Sequence, residues 1–330
     1  MIFRKIYSIF HPEQFQGWNR KRNYFEGWYF KFVNENETKA FAIIPGIAID
    51  SQGNRQPFIQ VLNGKKRTAQ YHKFEPDSFI TAPNRFEISI KDNQFSEHQL
   101  RINLPKVKGE LQFSGNVVWP KPWYSPGIMG PFSFLPFMEC YHGIVSMDHL
   151  VEGKIEVDSE SLNFDRGRGY IEKDWGQSFP SAYLWIQTNH FSQPGISLKV
   201  SVAKIPYLNY SFVGFIAGIW LGDRLIRFTT YNQSVLQKCF IDGEKVELVI
   251  RNKDYTLEIL TMREDSTALA SPILGLMDGR IEESMNASVE VSLTESKSGK
   301  TIFKDIGRNS GLEVAGKIQE IIIIPKKTEI

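Results

Sequence analysis

The sequence has no cysteine framework, no long apolar run and no dominant charge. Its two cysteines, Cys140 and Cys239, form no CxxC pair, so neither a disulfide scaffold nor a thiolate metal site is encoded. Both are expected to be free thiols in a reducing compartment. Lys plus Arg number 39 against 37 for Asp plus Glu, a formal net charge of +2. That balance lacks the concentrated basic face that nucleic acid requires, so no nucleic-acid partner is expected. The longest strongly apolar run, Phe212 to Leu221, is about half the length a membrane-crossing helix needs. The stretch from Met1 to Phe15 has basic residues inside its first apolar run and no continuous signal-peptide core. A soluble, cytoplasmic protein is expected. Phosphate-loop, HExxH and GxGxxG motifs are all missing. Gly176-Gln177-Ser178-Phe179-Pro180 imitates a nucleophile elbow. Proline in the last glycine position removes Ser178 as a candidate nucleophile.

What is abundant is aromatic side chains, 13% of the 330 residues, and period-two alternation. Phe86, Ile88 and Ile90 alternate with polar neighbours, as do Leu100, Ile102 and Leu104, and Leu198, Val200 and Val202. Val246, Leu248 and Ile250 turn at Asn252-Lys253-Asp254 into Tyr255, Leu257 and Ile259; Ala287, Val289, Val291 and Leu293 repeat the pattern. Each is the signature of a strand with one wet face. Asn63-Gly64, Asp242-Gly243 and Asp278-Gly279 supply hairpin turn signals. Short strands at close spacing predict antiparallel barrels or sandwiches, not βαβ units. The best helical candidate, Ile273 to Ser284, holds two glycines and is at most short. A boundary is expected at 165/166, where NFDRGRG separates two strand-rich halves, 1–165 and 166–330.

Three places carry chemistry. Trp123 to Met138 has three prolines, two glycines, five aromatics and no charge. It reads as an apolar loop folded over the core, or as a lid over a greasy pocket or a patch touching a membrane. Phe132, Phe134 and Phe137 would then line the entrance. Glu139, His142, Asp148 and His149 are metal ligands by type; on a strand His142 and Asp148 share a face and His149 points away, so hydrogen-bonded core or pocket roles are favoured. Finally, YFEGWYFK (24–31) and GYIEKDWG (169–176) concentrate carboxyls among aromatics. Alternation puts Glu26, Trp28 and Phe30 on one face, and Glu172 with Asp174 on another. Held against aromatic surface, such a carboxyl stays protonated and serves as a general acid. Alternatively, Glu26 and Glu172 pair with Lys173, Arg166 or Arg168 and tie strands together.

These motifs, with GYIEKDWGQSFPSAYLWIQTNHF (169–191), SGLEVAGK (310–317) and the proline-rich segment 119–156, resemble the tocopherol cyclase family. Its relatives include lipocalin-like carotenoid hydratases and pericyclases. The resemblance runs over nearly the whole chain. It implies an all-β fold of two lipocalin-like antiparallel β-barrel domains packed together. It also implies a cofactor-free, metal-free enzyme closing a ring on a lipophilic, prenylated, quinol-type substrate: an acid protonates an alkene and the quinol oxygen attacks the cation. Glu26 and Glu172 match carboxylates of the family motifs, whereas Asp174 stands where the plant motif has Asn. A shorter, bacterial-type member without a plastid transit peptide ahead of Tyr24 is expected. Glu172, Glu26 and Asp174 are the candidate catalytic residues. Trp28, Tyr29, Trp175, Trp185 and His142, with the three loop phenylalanines, are the candidate substrate contacts, the tryptophan faces stabilising cationic character. Hydration of a polyene lipid and non-catalytic isoprenoid carriage are the competing readings. Peripheral membrane contact is compatible with all three, and the sequence does not fix an oligomeric state.

Overall fold

The computed structural model describes residues 2–263 and 266–324. It divides into two units, Met1–Phe179 with Thr267–Ile281, and Pro180–Ser266 with Glu282–Ile330. The division therefore falls at 179/180, not at the expected 165/166. The glycine-rich NFDRGRG stretch is a turn inside the first unit, because Gly167–Gly176 pairs on one side with Tyr24–Val33 and on the other with Cys140–Val157.

The first unit is built on a 12-stranded antiparallel sheet, running from Thr68–Lys73 through Tyr24–Val33, Gly167–Gly176 and Cys140–Val157 to Phe79–Thr81. It curls on itself around an aromatic core. Trp28, on a central strand, stacks on Phe86 near the far end of the sheet at 5.7 Å, and Phe15 meets Phe79 at 5.4 Å. The ladder does not close, however: among the described residues its two end strands are not paired to each other. The expected barrel is thus, among the described residues, a curled sheet whose end strands stay unpaired with each other.

The second unit's strands belong to a 10-stranded antiparallel sheet with its own aliphatic core. Here alternation was a faithful guide. Leu198, Val200, Val202, Val246, Leu248, Ile250, Leu257, Ile259, Ala287, Val289, Val291 and Leu293 are all buried, as a sheet with one apolar face requires.

Three local readings fail for identifiable reasons. Ile273 to Ser284 is not helical: Leu274-Gly275, both at positive φ, turn the Thr267–Ile273 strand into Leu276–Glu295. Asp278-Gly279 lies inside that second strand and is no turn. Among the described residues the one α-helix is Ile2–Phe10, in the stretch read only for what it lacked.

Candidate active site

The Tyr24–Val33 and Gly167–Gly176 strands lie side by side with Trp28 opposite Lys173 and Tyr29 opposite Glu172. Because side chains alternate along each strand, this register sorts the expected acids onto opposite faces of one sheet.

The core-side cluster surrounds Glu26. Its carboxylate accepts from the Tyr24 hydroxyl at 2.5 Å and the Gln16 amide at 2.8 Å, and pairs with Lys173 at 2.6 Å. Both charged side chains are 0% exposed. Lys173 donates to the carbonyls of Pro12, at 2.9 Å, and of Gln14. It also lies over the rings of Trp28 and Trp175, 4.8 and 4.5 Å from their centroids. Trp28 adds a hydrogen bond to the Glu13 carbonyl at 2.9 Å. Together these bonds strap residues 12–16 across the sheet. The strap passes close to Gly143, where a Cβ would sit only 3.1 Å from Pro12. Burial pushes the Glu26 carboxyl up, against the pull of Lys173, and pushes the Lys173 ammonium down, against the pull of Glu26. The 2.6 Å contact between them opposes that push on both sides. Of the two readings open for Glu26, the geometry here is that of a strand-tying ion pair, and two of the three tryptophans expected to meet a substrate cation, Trp28 and Trp175, already hold Lys173.

The other face carries a different cluster. Tyr170 donates to Glu172 Oε2 at 2.5 Å, and His142 Nδ1 lies 2.7 Å from Asp174 Oδ1. His142 Nε2 faces Glu172 Oε2 at 3.4 Å and makes no hydrogen bond among the described residues. A carboxylate at Asp174 can only accept, which places a His142 proton on Nδ1. Burial, then the adjoining Glu172 carboxyl, hold the Tyr170 phenol well above its ordinary pKa, so it remains a donor. Neither arginine expected as a partner for Glu172 reaches it: Arg168 pairs with Asp148 and Arg166 with Glu35. Glu172 is buried while Asp174 is about one-quarter exposed, at 25% of its side chain. A shielded acid beside a more open imidazole–carboxylate pair can give a proton at one point and take one at another.

Tyr29, opposite Glu172, adjoins this cluster. Trp185 belongs to the second unit, on Ala182–Thr188, opposite Glu313; in that unit Tyr183 donates to Glu313 at 2.8 Å. In the proline-rich loop Phe132 is half-buried, but Phe134 and Phe137 are 45% and 84% exposed. The inward side is instead Ser125 to Gly130 together with Met138. Those two phenylalanines face solvent rather than the interior, Phe137 from a backbone at positive φ.

The residues grouped by type as metal ligands separate. Backbone irregularities between Ile144 and His149 break the register, yet Asp148 is taken by Arg168 and His149 is buried against the Phe113 ring at 4.8 Å. Among the described residues, the set that could hold a divalent ion is His142, Glu172 and Asp174, whose donor atoms lie within 4.8 Å of one another. Ser178 accepts from the Leu274 amide at 2.8 Å, a turn contact. Two partners were missed in the sequence, Tyr170 and Tyr24. A signal was present: each lies two residues before its glutamate, Tyr24-x-Glu26 and Tyr170-x-Glu172, the spacing that puts both side chains on one strand face.

His149 gives a pH-dependent stability. Burial lowers its pKa from 6.5 to about 3, and the Gly169 backbone closes over the ring, with a Cβ position only 2.2 Å from Nε2. The unfolded chain therefore binds this proton first on acidification, so stability falls as pH drops below 6.5. Between that pH and about 5 the loss is about 2 kcal/mol, at roughly 1.4 kcal/mol per unit. Urea midpoints of wild type and His149→Gln across this range check it. Parallel curves would assign the pH dependence to other groups.

The fold and cluster define an all-β protein of two antiparallel sheets with a buried carboxyl–imidazole–phenol site. The chain belongs to the tocopherol cyclase-like family, whose profile matches residues 106–316. That range contains the whole His142–Tyr170–Glu172–Asp174 cluster, whereas Glu26 and the strap lie outside it. The chain is similar to the chloroplastic tocopherol cyclase of Zea mays, 29% identical over 213 residues (57% of this chain, 41% of that protein). It is likewise similar to the probable chloroplastic tocopherol cyclase of Oryza sativa subsp. japonica, 28% identical over 200 residues (57% and 42%). The match thus spans about two-fifths of each curated relative. Among solved structures, CghA with Sch210972 shares the fold at a TM-score of 0.55 and 11% identity, over 89% of this chain and 88% of that one.

Proposed function

We propose that the protein is a cofactor-free cyclase that closes an oxygen ring on a lipophilic, prenylated quinol. The observation that carries this reading is the chain Asp174···His142···Glu172···Tyr170 on one sheet face. Glu172, hydrogen-bonded by Tyr170, gives its proton to a prenyl double bond, forming a C–H bond and a tertiary cation. The quinol oxygen attacks that cation, and its hydroxyl proton passes to His142 Nε2. The imidazolium, held by Asp174, returns the proton to Glu172. Atoms and charge balance, and substrate and product are isomers.

Turnover of a prenylated hydroquinone in D2O tests the reading. Each product molecule is expected to gain one carbon-bound deuterium at the protonated alkene carbon and no oxygen from solvent. Incorporation of solvent oxygen would make the reaction a hydration. Binding without any deuterium uptake would make the protein a carrier.

A further inference from the structure

We infer that the Ile2–Phe10 helix and the Trp123–Phe137 side of the proline-rich loop form one docking surface for an anionic phospholipid bilayer. The two elements meet directly: the Phe10 and Phe134 rings pack edge to face at 6.1 Å, and Gly127 lies against Pro12, which follows the helix. Their outward side chains are large and apolar. Trp123 is 79% exposed and Phe137 84%, with Tyr124, Phe134, Ile6 and Tyr7 also exposed. Scattered exposed hydrophobics are ordinary, but a concentration of aromatics on two adjoining elements is not. Tryptophan, tyrosine and phenylalanine are the side chains that settle at the boundary between headgroups and acyl chains.

Charge selects the occupant. Residues 122–138 hold no charged side chain, so nothing in the loop must be desolvated on insertion. The first 22 residues contain Arg4, Lys5, Arg20, Lys21 and Arg22 against a single acid, Glu13, in a chain whose overall charge is only +2. Glu13 is itself neutralised by Lys121 at 2.8 Å. An N-terminal sequence with five basic residues against one acid, together with an uncharged aromatic loop, fits a surface that is negative outside and apolar beneath. A nine-residue helix alone buries too little to hold a bilayer; helix and loop entering together share one ordering cost. The strap is then more than a core device, because it fixes the end of the helix against the sheet that carries the loop. None of this depends on the proposed reaction.

The test is co-flotation of the full chain, without substrate, with vesicles of phosphatidylcholine alone or containing about one-third phosphatidylglycerol. Binding is expected to the mixed vesicles, to weaken with salt, and to fall at least about tenfold in Trp123→Ser/Phe137→Ser. Both positions are mostly solvent-exposed, so the thermal midpoint should not move, and a lowered midpoint would assign them to the core. Equal binding by wild type and variant would overturn the proposal. So would concentration-dependent self-association abolished by the same substitutions, which would make a second copy the occupant. Failure here leaves deuterium incorporation in detergent unaffected, so the two readings fall separately.

Discussion

Glu172→Gln is expected to lower kcat on a prenylated hydroquinone by about 10²–10⁴, the usual cost of removing a general acid, while KM changes little. The amide keeps the shape of the carboxyl and can accept from Tyr170, whose hydroxyl lies 2.5 Å from Oε2, so folding and binding are preserved and only the transferable proton is lost. Asp174→Asn is a graded comparison. An amide oxygen can still accept from His142 Nδ1, now 2.7 Å from Oδ1, and the family resemblance puts Asn at this place. The imidazole should stay oriented while losing the charge that stabilises its protonated form. A loss of at most about tenfold, with the acidic limb of the pH–rate profile, below which His142 is protonated and cannot take the quinol proton, moved to lower pH, is the expected signature of a positioning residue. Wild-type turnover in Glu172→Gln would remove Glu172 from the chemistry.

The contrast between the two glutamates shows how far a sequence can carry such an argument. Alternation groups Glu26 with Trp28, and Glu172 with Asp174, because facing is a local property within a strand; that the two sets lie on opposite faces is set by the pairing register. Which of them is neutralised is not local. Lys173 sits between two acids in a motif rich in charge, and by propensity alone a lysine there faces water. It is buried instead because residues 12–16, far from it in sequence, cross the sheet and present two carbonyls to its ammonium. Likewise, nothing in YFEGWYFK states that Trp28 will stack on Phe86 and so curl the sheet. Long-range pairing decided what the motifs left open. The loop shows the opposite limit: its composition announces an apolar surface, but only the folded chain decides that Phe134 and Phe137 face outward while Ser125 to Gly130 and Met138 face inward.

Breaking the buried ion pair should be the costliest single change to stability. Lys173→Met leaves the Glu26 carboxylate with no cation in a site that is 0% exposed, and removing one partner of such a pair typically costs about 3–5 kcal/mol. Glu26→Gln should cost a similar amount, because the ammonium then has only carbonyls and ring faces around it. The double variant Glu26→Gln/Lys173→Met should be more stable than the sum of the singles implies, since no isolated charge remains. It should not return to wild type: the Pro12 and Gln14 carbonyls lose their donor, and each unsatisfied buried group costs about 1–3 kcal/mol. The strap gives an independent readout. The Gln16 amide, bonded at 2.8 Å to Glu26, should exchange with solvent far faster in either single variant, and residues 12–16 should become cleavable. A double-mutant cycle by chemical denaturation, with hydrogen exchange at Gln16, measures both. Additive costs with a still-protected amide would show that the strap is held by Trp28 and its packing rather than by the buried charges.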